Sequence, residues 1–252
     1  MMVLEYAECG NLREYLKDNF LELKWKDKLE ILCKIAYNLE FIHKKNYVHK
    51  NLHGGNILQF HNERWSDTKI ADLGLAQSIN NSNSSNIYGV LPYIAPEVLG
   101  GKPYTFASDI YSFGIIMMVV SIGEAPYRDI PHDEKLALEI CNGRRPKVAK
   151  GTPKCYNDFV DRCLDADPGK RPSAEKVLGI IRNWLLYNEQ ENPVSSSKKP
   201  VSKKEPGPIG MYKEFIVADE IPPQEFPGTD LHPEAIYVSR SMTFPILVNK
   251  KI

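Results

Sequence analysis

The sequence predicts a mainly α body of the α+β class, on three observations: apolar residues recur at helical spacing, one stretch is apolar nearly all round, and strand-like runs are few. Asn11 is placed to cap a helix carrying Leu12, Tyr15 and Leu16. A longer amphipathic helix follows, with Leu29, Leu32, Ala36, Leu39 and Ile42 on one face. From Asp109 to Ile122 almost every position is apolar, which predicts a helix surrounded by protein on all sides. Ser173, after Pro172, should cap a last helix with Val177, Ile180, Ile181, Trp184 and Leu185 on its apolar face. The strand candidates are short: Met2 to Tyr6, Ile57 to Phe60 and Thr68 to Ala71.

The 252 residues are 42% hydrophobic, enough for a real core. Lysine plus arginine equal aspartate plus glutamate at 32 each, so no global field points to nucleic acid or an anionic membrane. The longest apolar stretch, Ile110 to Ile122, is too short to span a bilayer, and no signal peptide opens the chain. Five widely spaced cysteines without a CxxC pair argue against a disulfide framework or zinc site, and for a reducing, cytoplasmic location. After Tyr187 the composition turns to Asn, Glu, Ser, Lys and Pro, so residues 1–187 form the expected domain and 188–252 an expected disordered tail. Within that tail, Ile236 to Phe244 stands out as a candidate docking segment.

Chemistry concentrates in two places. Val48 to Leu58 reads VHKNLHGGNIL and Lys69 to Leu75 reads KIADLGL. The strand-like pieces flanking the intervening loop would bring Asn56 and Asp72 together, offering magnesium two hard oxygen donors. His49 and His53, four apart in a loop, lack the cysteine or carboxylate neighbours that would complete a metal set.

The order of the motifs resembles the protein kinase family, with its HRDxxxxN catalytic loop, DFG, APE and DxxxxG. Here they stand as HKNLHGGN (His49 to Asn56), DLG (Asp72 to Gly74), APE (Ala95 to Glu97) and DIYSFG (Asp109 to Gly114), followed by DPGKRP (Asp167 to Pro172). The opening MVLEYAECGNLREYL is similar to the hinge strand and the helix after it, and the pattern is closest to the tyrosine-kinase-like branch. The resemblance implies a kinase large lobe (the C-terminal lobe) over nearly all of the first 185 residues. It implies ATP and Mg2+ as cofactors, with Asn56 and Asp72 on the metal, Tyr6 and Ala7 offering backbone groups to adenine, and Leu58 on the pocket floor. Glu97 and Arg171 match a buried ion pair, and Asp109 a residue bracing the catalytic loop. Residues 75–94, with Ser78, Ser82, Ser84, Ser85 and Tyr88, match the activation loop.

Three departures shape the functional expectation. Asn51 stands at the position of the catalytic aspartate, and an amide cannot take a proton as a carboxylate does, a loss typically worth about 10² to 10⁴ in rate. Lys50 replaces an arginine that grips a phosphorylated loop, keeping the charge without the bidentate fork. The chain starts inside what would be the last small-lobe strand, with no GxGxxG and no strand lysine, so the small lobe is expected to be missing. His49 keeps the family identity. The expectation is a catalytically impaired module that binds or scaffolds proteins in signalling; the alternative is a truncated ATP-dependent protein kinase. A protein partner or substrate is implied, not nucleic acid or membrane. Without a small lobe, Leu4, Leu58 and Ile70 are expected to form an exposed apolar surface.

Overall fold

The computed structural model describes residues 5–62, 65–79, 87–188, 208–222 and 231–244. Helix α1 (Leu12–Asn19) begins where its capping residue dictates. The Asn11 side chain accepts from the Arg13 and Glu14 N–H groups, and Glu14 reaches back to the Asn11 N–H. Helix α2 (Trp25–Lys44) buries Leu29, Leu32, Ala36 and Leu39 of the expected stripe together with Ile35, while Ile42 is half-buried.

Three two-stranded antiparallel ladders occur among the described residues. Strand β1 (Tyr47–Val48) pairs with β4 (Gln77–Ser78), and β2 (Ile57–Asn62) pairs with β3 (Trp65–Ile70). The third joins β5 (Ile87–Gly89) to β6 (Arg240–Met242), in register Ile87 to Met242, Tyr88 to Ser241 and Gly89 to Arg240. The two internal strand expectations fall within β2 and β3, except that Ala71 lies just past β3. Of the expected strand at Met2 to Tyr6, only Glu5 and Tyr6 are described, and they are irregular.

Short α3 (Pro96–Leu99) leads to α4 (Phe106–Ile122), which is buried nearly all round as its sequence predicts. Thr105 and Ser108 form a capping box at its start, and Gly123 at φ 77° closes it. Gly114 lets α4 approach the end of α6 (Lys154–Cys163), since a Cβ there would stand 2.8 Å from Leu164 and 2.9 Å from Cys163. Helices α5 (Glu134–Cys141) and α7 (Ala174–Asn188) complete the lobe, and Ser173 caps α7 through the Lys176 N–H. Arg171 fastens these late elements to α3 by a bidentate pair with Glu97, both bonds 2.7 Å, and also donates to the Ala107 and Asp165 carbonyls.

The described residues of the tail, which the sequence expects to be disordered, carry a helix and a short strand in the structure. Helix α8 (Pro208–Asp219) seats Phe215, 1% exposed, with its ring centroid 5.6 Å from those of both Trp25 and Trp184. Its carboxylates cap two other helices: Asp219 accepts the Trp25 N–H at 2.8 Å, and Glu214 the Cys155 N–H at 2.8 Å. Those N–H groups lie in the first turns of α2 and α6, where helices leave donors unpaired and where negative charge is favoured. The expectation counted apolar residues and found too few for an independent core. The segment builds no core of its own; one aromatic and two caps suffice to dock it on an existing one. Among the described residues, α8 packs on α2, α6 and α7, and residues 231–244 meet β5, the Asn51–His53 loop and Arg13 of α1; Leu58 and Ile70 are half-buried, and Leu4 lies outside the described residues.

Two substitutions check this arrangement by urea unfolding. Glu97→Ala leaves the fully buried Arg171 side chain without its counter-charge, and stability should fall by about 3 to 5 kcal/mol. Phe215→Ala should cost about 3 kcal/mol if α8 docks as described, against almost nothing for a loose tail.

Candidate functional site

The loop between β1 and β2 is held from below by α4. Asp109, 1% exposed, accepts the main-chain N–H groups of His49 and Lys50 at 2.8 and 3.0 Å, and its Oδ2 lies 2.9 Å from His43 Nε2. Lys50 is thereby held at φ 70°, a conformation uncommon outside glycine, and the chain reverses at Asn51. His49 is fully buried: Nε2 donates to the Ala71 carbonyl at 3.1 Å while Nδ1 accepts the Asn51 N–H at 3.2 Å. Both ring nitrogens are committed to holding the loop.

The β2–β3 ladder brings the two expected metal-site residues together. Asn56 precedes β2 and Asp72 follows β3, with the Ala71 N–H bonded to the Asn56 carbonyl at 2.8 Å. Asp72 sits at φ 59° and is exposed, and its Oδ2 accepts from Asn51 Nδ2 at 3.2 Å and Asn56 Nδ2 at 3.3 Å. A second bond from Asn56 Nδ2 to the Asn51 carbonyl, 2.9 Å, orients that amide. The other Asp72 oxygen and the Asn56 amide oxygen are hard donors at the mouth of the site. They fit magnesium, which takes one or two protein ligands and fills its shell with water and phosphate. Among the described residues, no cluster of three or more His, Cys, Asp or Glu could hold a metal in a closed protein cage.

Asn51, 3% exposed, faces two ways. Its amide nitrogen donates to Asp72, and its amide oxygen accepts the Ser239 hydroxyl at 2.9 Å. His53 completes the row: Nδ1 accepts the Gly55 N–H at 3.1 Å, so the proton is on Nε2, which donates to Ser239 Oγ at 3.0 Å. Burial pushes the His53 pKa down to about 4; the charges of Arg13 and His49 act the same way, and Asp72 opposes them. Gly89 at φ 145° brings β5 over this row, since a Cβ there would lie 3.6 Å from Asn51 Oδ1.

The other expected residues stand apart from this row. The Lys50 ammonium bonds Gln77 Oε1 and lies over the Tyr104 ring, and burial lowers its pKa, so its partner here is an amide. Of the expected activation-loop hydroxyls, Ser82, Ser84 and Ser85 lie outside the described residues. At the expected hinge, Tyr6 is 81% exposed, Ala7 is half-buried with its carbonyl accepting the Gly10 N–H, and Leu58 is half-buried beside Gln59, which bonds Gly10. Sequence reasoning missed Ser239 and the part played by His53. Ile236 to Phe244 was singled out for its apolar residues, but nothing in the sequence tells which side chain of an extended segment faces Asn51.

A mainly helical lobe with its catalytic-type loop braced by a buried aspartate, and an Asp-Leu-Gly turn beside an asparagine, defines the large lobe of a protein kinase. Comparison with known proteins agrees: residues 1–181 match the protein tyrosine and serine/threonine kinase family, and the chain belongs to that family. It is 31% identical over 207 residues to the mast/stem cell growth factor receptor Kit of Canis lupus familiaris, covering 78% of this chain and 21% of the receptor. It is 30% identical to a putative serine/threonine-protein kinase/receptor of Acanthamoeba polyphaga mimivirus, over 75% of this chain and 11% of that protein. A probable serine/threonine-protein kinase of Dictyostelium discoideum is 29% identical over 73% of this chain and 11% of its own length. The chain thus spans a small part of the relatives it matches. Kinases of this family use ATP and Mg2+ and act on proteins. Among the described residues no helix is long and apolar enough to cross a membrane.

The buried His53 gives a pH signature. Its folded pKa, about 4, lies below the ordinary 6.5, so between those values the unfolded chain holds more protons and stability falls as pH drops. The full effect is roughly 3 kcal/mol, present above pH 6.5 and lost by about pH 4. Urea midpoints measured across this range should fall less steeply for His53→Gln than for the unmodified chain.

Proposed function

We propose that this chain is a catalytically impaired member of the kinase family whose lobe binds or scaffolds proteins in a signalling setting. The supporting observation is Asn51. An amide occupies the position of the proton-accepting carboxylate, and its oxygen is engaged by Ser239 while its nitrogen is engaged by Asp72. An amide can orient a hydroxyl but cannot accept its proton near neutral pH, and loss of a positioned base typically lowers rate about 10² to 10⁴-fold. The roles assigned to Asn56, Asp72, Tyr6, Ala7 and Leu58 belong to this reading, as does a cytoplasmic location, supported by five free thiols among the described residues. Asn56 and Asp72 would hold magnesium, whose chemistry is to neutralise nucleotide phosphates. Tyr6 and Ala7 would offer backbone groups to adenine.

The geometry of Asn56 and Asp72 also favours a second reading. Two hard oxygens held beside an ordered loop are what an active enzyme transferring phosphoryl groups from ATP to Ser, Thr or Tyr requires. The chain would then be the large-lobe portion of such a kinase, with Asn51 tolerated.

One measurement separates the readings. In a kinase assay with Mg-ATP the unmodified chain should label no protein, with Asn51→Asp run as the positive comparison. Mg-ATP-dependent labelling by the unmodified chain overturns the impaired reading in favour of the second, whereas a raised thermal midpoint with Mg-ATP, which reports binding to the native state, is compatible with both.

A further inference from the structure

The tail segment beside β5 is bound as a peptide would be bound. Its backbone adds a strand to the edge of β5. From Ser241 to Phe244 the side chains alternate, Met242 and Phe244 buried and Ser241 and Thr243 exposed, whereas before β6 Val238 is 72% exposed and the Ser239 hydroxyl meets the lobe. On the other side of Ser239, the Tyr237 hydroxyl donates to the Pro126 carbonyl at 2.8 Å, and the His132 ring lies 2.9 Å from the Ile236 carbonyl. The Arg240 guanidinium crosses back to the His132 carbonyl at 2.7 Å. The segment is thus pinned before and after one hydroxyl, and that hydroxyl sits between His53 and Asn51.

A surface that only needed covering would not require this register. Shifting β6 by one residue would turn Met242 to solvent and take Ser239 away from Asn51. We propose that residues 236–244 are an in-cis peptide ligand of the lobe: the tail fills the groove along β5 with the Ser239 hydroxyl at Asn51 and competes there with extended protein segments carrying a serine or threonine hydroxyl. This rests on the reading of the lobe as a protein-binding module and names its ligand class and its regulation. A protein ligand must displace the tail, and anything that frees the tail raises affinity for such ligands. A tail closed about nine-tenths of the time weakens binding in trans about tenfold.

The test uses the full chain and a fluorescent peptide with the sequence of residues 234–244, read by anisotropy without nucleotide. Met242→Lys removes an apolar anchor and Arg240→Glu removes the bond to His132; neither residue touches the Asn56 and Asp72 pair. Both variants should bind the peptide about tenfold or more tightly than the unmodified chain, and a peptide carrying Met242→Lys should bind none of them. Equal binding by all three chains, or by none, overturns the proposal when the variants melt as the unmodified chain does. Hydrogen exchange on the unmodified chain gives a result free of folding effects: the β5–β6 ladder amides should be protected, and free exchange of β6 would equally overturn it. Because no nucleotide is present, failure here leaves the catalytic reading standing, and labelling by the chain would leave this proposal standing.

Discussion

The site depends on one buried carboxylate. Asp109 is withdrawn from water inside the lobe and accepts the main-chain N–H groups of His49 and Lys50 on its two oxygens, with His43 on the oxygen that also takes the His49 N–H. A buried charge without donors would be costly; with donors at 2.8 to 3.0 Å the bonds are charge-assisted and among the stronger ones a protein makes. These bonds hold Lys50 in its left-handed conformation, and from that turn hang Asn51, His53 and Asn56. Because α4 carries Asp109 through the middle of the core, the loop inherits the rigidity of the most buried helix. The bracing is a matter of folding, and it persists whether or not a carboxylate stands at position 51.

Position 51 shows how exchanging one oxygen for an NH2 reorganises a site. Two carboxylates at the 3.2 Å that separates Asn51 Nδ2 from Asp72 Oδ2 would repel, and a cation or a raised pKa would have to relieve the strain. An amide donates instead. Asn51 and Asn56 together satisfy one Asp72 oxygen, so the row from Asp72 to His53 is hydrogen-bonded continuously within the protein. Such a row suits holding a hydroxyl, and a serine hydroxyl of the same chain is what it holds.

The tail shows that docking needs less than folding does. Residues 208–219 and 231–244 carry too few apolar groups to fold alone, but the lobe offers them helix N-termini with unpaired donors, an aromatic cluster and a free strand edge. Each is an incomplete element that a small complement finishes: a carboxylate, a phenyl ring, a backbone. Low apolar content therefore argues against an independent domain without arguing against order.

The sequence by itself determined helices α1, α2, α4 and α7 and the residues of the bracing, while α3, α5, α6 and α8 appear only in the structure. Helix positions follow from spacing and caps, such as Asn11 before Leu12 and Ser173 before Ala174, because these act within a turn of chain. The family pattern named Glu97, Arg171, Asp109, Asn56 and Asp72, because each residue type is tied to one chemical task. Only the tertiary structure decided what meets Asn51. Ser239 lies 188 residues away, and strand pairing places it there through a register that no local pattern encodes. His53 likewise reads as an ordinary loop histidine until the Gly55 N–H fixes its tautomer and the fold buries it against that hydroxyl. Short-range chemistry is written along the chain, whereas the union of the loop with the tail depends on surfaces that exist only once the lobe has folded.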